Sequence, residues 1–203
     1  MGFDRAKAID AMGKRSNKIA NLISIIGHPL MLGTVYVIFI SFYELEQNTA
    51  WIISGLIIGL VTVPIIIHNW IKLKNGSYSN FDVSDQQERI GFYPFTIALF
   101  TVCFFVFFYF DFPKIVVKTT VFFTLMLCCM AVINFRTKAS LHLAIALFIA
   151  TKILSLSLPL AFIYLAFAFL IGWSRWYLGR HTQEELLIGS IVGGFCGWLA
   201  IFF

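Results

Sequence analysis

Two arginines, a histidine and a pair of carboxylates fall within the stretch Ser174-Arg175-Trp176-Tyr177-Leu178-Gly179-Arg180-His181-Thr182-Gln183-Glu184-Glu185, between two strongly apolar runs. A neutral imidazole can attack phosphorus, and guanidiniums can hold the charge that develops on the phosphoryl oxygens. An acid four residues after the histidine can fix its tautomer. A helix beginning near Thr182 would add free backbone N–H groups and a positive dipole end to the same place. Thr182-Gln183-Glu184-Glu185 also has the form of a capping box, which explains Glu185 without any chemistry.

A second polar island, Lys138-Ala139-Ser140-Leu141-His142, offers an ammonium, a hydroxyl and another imidazole. A histidine near its ordinary pKa donates a proton at little cost. The plain alternative is that Ser140 caps the following helix and His142 is an interfacial side chain. A third island holds Asp82, Asp85, Glu88 and Arg89, which also read as a solvated helix turn. His28 and His68 lie within apolar runs and read as structural bundle histidines, although both fall in the membrane half nearest these islands. Lys152 reads as a snorkelling side chain.

The spacing Ser-Arg, five residues, His, three residues, acid resembles the third signature motif of the type 2 phosphatidic acid phosphatase and vanadium haloperoxidase superfamily. Tyr177-Leu178-Gly179 and Gly189 extend the match, and Glu185 stands where the usual acid is Asp. Lys138-x-Ser140-x-His142 resembles a variant of the second motif, with Ala139 and Leu141 departing from the commoner Pro-Ser-Gly-His. The first motif, Lys, six residues, Arg-Pro, is matched only at Arg89, since Asp82 replaces the lysine and Ile90 the proline. The resemblance implies an all-α helix bundle and a cofactor-free, metal-independent lipid phosphatase acting through a phosphohistidine. His181 would be the nucleophile, Glu185 its orienting acid and His142 the general acid. Arg175, Ser140, Lys138 and Arg89 would bind phosphate, with Lys138 restoring the cation lost at Asp82. The substrate would be a membrane lipid of phosphatidate or isoprenoid phosphate type. A lipid phosphotransferase using the same histidine, or an inactive lipid-binding or transport protein, are the alternatives.

The elements that must position these islands are membrane helices. Hydrophobic residues make up 60% of the 203 positions and charged residues 12%, with runs near the ~20 residues a spanning helix needs. The chain is expected to be a multi-pass protein of a prokaryotic cytoplasmic membrane, with an interfacial segment over residues 1–17 and one transmembrane domain over 18–203. Spans are expected at residues 18–43, 50–71, 93–110 and from Lys114 to about Phe135. The long apolar run after Leu141 should split at Ser155-Leu156-Ser157-Leu158-Pro159 into two short spans, and a last span should cover 184–203. Six to seven spans result, and all three islands then emerge on one face.

That face carries all but Lys114, Lys118 and Lys152 of the fifteen lysines and arginines, so by the positive-inside tendency it is cytoplasmic. The net charge of +5 thus maps to span ends rather than to a nucleic-acid surface. Cys103, Cys128, Cys129 and Cys196 lie in apolar runs without metal-ligand spacing and read as small core hydrophobes. Gly189, Gly193 and Gly197, four residues apart, permit close helix packing.

Overall fold

A computed structural model describes residues 16–203; the expected interfacial segment falls almost entirely outside the described residues. Eight helices follow in order: α1 (Ser16–Ile26), α2 (Pro29–Glu44), α3 (Gln47–Lys74), α4 (Glu88–Tyr109), α5 (Lys114–Asn134), α6 (Leu141–Leu154), α7 (Leu158–Tyr177) and α8 (Gln183–Phe202). No strand occurs among the described residues. The protein is an all-α membrane helix bundle. Five helices are long and apolar enough to cross a bilayer, and α1 with α2 make a sixth crossing if counted as one span bent by 50°. Phe105, Phe108, Phe162, Phe169 and Phe195 are exposed on the outer helices, as hydrocarbon-facing side chains should be.

The bend between α1 and α2 has a local cause. Pro29 cannot donate to the preceding turn and takes the first helical position of α2. His28 becomes the N-cap, its Nδ1 accepting the Leu30 N–H at 3.2 Å. The single span expected over residues 18–43 is therefore broken at this point. Within α3, residues Ile58–Thr62 form a π-helical turn.

The first of the two short spans expected after Leu141 is α6. Fourteen residues at ~1.5 Å each fall well short of the ~30 Å hydrocarbon core. The helix is instead enclosed by protein, packing on α2, α5, α7 and α8, and most of its residues are buried. The glycine spacing of α8 makes the tightest of these contacts. A Cβ on Gly193 would overlap the Ala144 carbonyl, and one on Gly197 would come within 2.8 Å of the Phe148 carbonyl. Lys152 near the end of α6 does not snorkel outward; it is buried, with Nζ 3.4 Å from the Ala200 carbonyl. All four cysteines are free.

Candidate functional site

The three polar islands meet at one end of α6. Each is brought there by a local device. At the end of α7, Gly179 takes a left-handed φ of +65°. Its N–H bonds the Trp176 carbonyl at 2.9 Å while Arg180 N–H bonds the Arg175 carbonyl at 2.9 Å. This is a Schellman ending, which only a residue without a Cβ forms cheaply. It turns the chain so that His181 comes within reach of the Arg175 charge. Thr182 then opens α8 with a complete capping box.

Glu185 serves both of its expected readings at once. Its Oε2 lies 2.7 Å from His181 Nδ1 and 3.3 Å from the Thr182 backbone N–H. With Nδ1 donating to the carboxylate, Nε2 of His181 carries the lone pair, and that atom is buried without a protein partner. Burial, then the charges of Arg89, Arg175 and Lys138, push the His181 pKa down to about 3, opposed by the Lys138 backbone. The ring is therefore neutral at physiological pH.

The second island is locked through the backbone to the stretch that carries His181 and Glu185. Ser140 N–H donates to the Glu185 carbonyl at 3.0 Å, and a Cβ on Gly189 would overlap the Ser140 carbonyl. Ser140 holds the N-cap position of α6, yet its hydroxyl makes no capping bond and is fully buried without a partner. The capping explanation of this serine therefore fails. Both nitrogens of His142, at the first turn of α6, are likewise buried and unpaired. Arg175, with no exposed surface, keeps Nε and Nη2 free. An unpaired buried polar group costs about 1–3 kcal/mol and more if charged, so four neighbouring residues with such atoms mark a place built for a polar ligand.

The third island contributes differently from expectation. Arg89 is buried rather than solvated, and it donates Nε to the Val83 carbonyl at 3.0 Å and Nη1 to the Ala139 carbonyl at 2.7 Å. It thereby ties the loop of residues 75–87 to the second island, and its charge still reaches His181. Gln86 and Asn134 exchange side chain to backbone bonds at 2.6 and 2.9 Å, a second tie of the same kind. Lys138 is half-buried beside His181, lowering the imidazole's basicity through its charge.

Asp82, where the resemblance expects a lysine, sits in the middle of the site. Its Oδ2 is 3.1 Å from Arg175 Nη1, 3.6 Å from Arg180 Nη1 and 3.8 Å from His142 Nε2. Its Oδ1 is 3.2 Å from His28 Nε2. Burial alone would raise its pKa, but the hydrogen bond from His28 and the surrounding positive potential, that of Arg175 included, hold it well below the usual carboxylate range. The following residue, Val83, is buried with a φ of +47°. A β-branched side chain rarely accepts that backbone, so the loop carries strain where it presents Asp82 inward.

Two further residues belong here that sequence reasoning left aside. His28 reads as structural in sequence, but its Nδ1 accepts from Leu30, so Nε2 carries the proton and donates to Asp82. Ser24 on α1 accepts from Arg175 Nη1 at 2.8 Å. The signal for His28 was its depth, in the membrane half nearest the islands; nothing marked Ser24. His68 stays structural, stacked on Phe95 with centroids 4.1 Å apart.

Among the described residues, no three His, Cys, Asp or Glu side chains cluster as metal ligands would. The arrangement brings together unpaired polar atoms of Ser140, Arg175 and His181, with those of His142 at their side, as an anion-binding site would need. Beyond His142 and Asp82 opens a cavity of about 120 Å³, whose walls include His28, Asp82, Arg89 and His142 at one end and Phe100, Leu127 and Ile145 further in. No protein-family model, curated protein or solved structure matches this chain.

Proposed function

We propose that the protein is a lipid phosphate phosphatase working through a phosphohistidine at the membrane interface, as its resemblance to the type 2 phosphatidic acid phosphatase superfamily implies. The observation that carries the reading is the set of buried, unpaired polar atoms on Ser140, His142, Arg175 and His181, the residues the second and third motifs single out. A phosphoryl group would satisfy them together.

In this reading His181 Nε2 attacks phosphorus as the P–O ester bond breaks. The electron pair leaves with the ester oxygen, which takes a proton from His142. Arg175, Ser140 and Lys138 hold the non-bridging oxygens, and Arg89 adds its positive potential from behind. A water molecule, deprotonated by His142, then breaks the P–N bond and returns the electron pair to His181, releasing inorganic phosphate. Glu185 keeps the attacking nitrogen unprotonated throughout. The lipid headgroup arrives at this depth without leaving the bilayer, and the positive-inside tendency of the basic face supports a cytoplasmic site, in what this reading takes to be a prokaryotic membrane.

The test is phosphate release from mixed micelles over a panel of phosphatidate and isoprenoid phosphates. His181→Ala should abolish turnover and His142→Ala should nearly do so, orthovanadate should inhibit, and EDTA should leave the rate unchanged. Full activity in His181→Ala overturns the nucleophile assignment. A transferase would release phosphate only sparingly and label an added lipid acceptor instead. One observation favours a second reading: Asp82 already engages Arg175 and Arg180, as it would in a catalytically inactive lipid-binding relative. Absence of turnover across the panel with retained vanadate binding would select it.

A further inference from the structure

Asp82 occupies a boundary. The cavity wall includes Asp82, His28 and His142, whereas Ser140, Arg175 and His181 lie outside it. Asp82 nevertheless touches Arg175 at 3.1 Å. A lipid whose tail enters the cavity and whose phosphoryl group meets the unpaired atoms of Ser140, Arg175 and His181 must therefore pass its head-to-tail linkage beside Asp82 and His142.

What this boundary tolerates follows from charge. In a phosphate monoester the linkage is one oxygen, which turns basic as the bond breaks and is met by His142. In a diphosphate attacked at its terminal phosphorus the linkage is a second phosphate, bearing negative charge on its non-bridging oxygens. The cations that would neutralise it, Nη1 of Arg175 and Nη1 of Arg180, are already engaged by Asp82 Oδ2 at 3.1 and 3.6 Å. The proton on His28 Nε2 is also committed, to Asp82 Oδ1. A second phosphate thus meets a carboxylate whose partners are taken, in a partly dehydrated place where like charges repel strongly.

The geometry points to Asp82 as a specificity-determining residue that restricts the site to lipid phosphate monoesters and rejects the corresponding diphosphates. The inference rests on the phosphatase reading above and names the substrate class of that same site. Asp82 is not a catalytic residue in it; it acts by excluding charge from the leaving-group side.

The experiment compares an isoprenoid monophosphate with the diphosphate of the same chain, using the full chain in detergent micelles. Wild type should favour the monophosphate by at least about tenfold in kcat/KM. Asp82→Asn keeps an oxygen for His28 but removes the charge, and should narrow that ratio at least about fivefold, chiefly by raising the diphosphate rate. Asp82→Glu should retain the preference, and Asp85→Asn, a charge lost elsewhere on the same loop, should not alter it. A wild-type preference for the diphosphate, or an unchanged ratio in Asp82→Asn, overturns the selectivity while leaving the phosphatase reading standing. Turnover of neither substrate by wild type overturns both. Should Asp82→Asn fail to fold, inhibition of wild type decides: an alkyl phosphonate should bind more tightly than the matching alkyl methylenediphosphonate, and the reverse order overturns the proposal.

Discussion

His181 Nδ1 and Glu185 Oε2 lie 2.7 Å apart, and the same carboxylate oxygen accepts the Thr182 N–H that begins α8. One atom therefore both starts a helix and sets the tautomer of the candidate nucleophile.

The two roles separate by mutation. Thr182→Ala removes the hydroxyl half of the capping box and should cost about 1 kcal/mol of stability, with turnover close to wild type. Glu185→Gln keeps a capping residue but replaces the carboxylate by a neutral amide, and should lower kcat at least about tenfold with little change in melting. Thermal melts beside phosphate release decide it; equal loss of activity in both variants would make Glu185 a capping residue only.

Acid should destabilise the fold in a defined window. His181 is held neutral with a pKa of about 3 against its ordinary 6.5, so between those values the unfolded chain binds more protons than the folded one. Stability then falls as pH drops below about 6.5 and continues to fall until about 3. Asp82, with its pKa depressed, loses its contribution in the same direction at lower pH. His181→Gln should show a shallower decline in melting temperature between pH 7 and pH 4.5 than wild type. A parallel decline in the two proteins would mean the ring is not held neutral.

Lys138 is the cation of the second island, its charge reaching His181, the candidate nucleophile. A charge-assisted hydrogen bond to phosphate is worth roughly 1.5–3 kcal/mol, so Lys138→Ala should lower kcat/KM by about 10 to 100-fold. Arg136→Ala removes an exposed cation two residues away and should cost little. Matching rates for the two variants would reduce Lys138 to a headgroup anchor.

Orientation is testable by labelling. Cysteines introduced at Ser79 or Thr137 should resist impermeant thiol reagents in intact cells, and one at Gln47 should react. The native cysteines, buried or half-buried within helices, should give a low background. External labelling of Ser79→Cys would place the site on the opposite face.

Much of the bundle was legible because bilayer physics leaves few alternatives: runs of apolar residues between polar islands became helices, and Ser157 with Pro159 opened α7 as a cap and first-turn proline do. The α8 glycines announced their packing through spacing alone. What the sequence could not show was which polar residues meet. His28 sits more than fifty residues from Asp82, and its hydrogen bond depends on the α1–α2 bend and on the strained loop at Val83. Asp82 was visible only as a departure from a motif, since a lone carboxylate carries no sign of the four groups that close around it. Arg89 was visible as a charge, but its donors' engagement with two backbone carbonyls depends on how two loops stack.

The enclosure of α6 bears on how the membrane acts on the site. Lipid contacts the outer helices, whereas Ser140 and His142 ride on a helix wrapped by protein on most sides. Its length need match no hydrocarbon thickness, and tilting of the outer helices in a thicker or thinner bilayer reaches it through side-chain packing and the glycine seam of α8. The floor of the candidate site is in this sense a soluble-protein core carried inside a membrane protein, buffered from the acyl-chain composition of the host membrane.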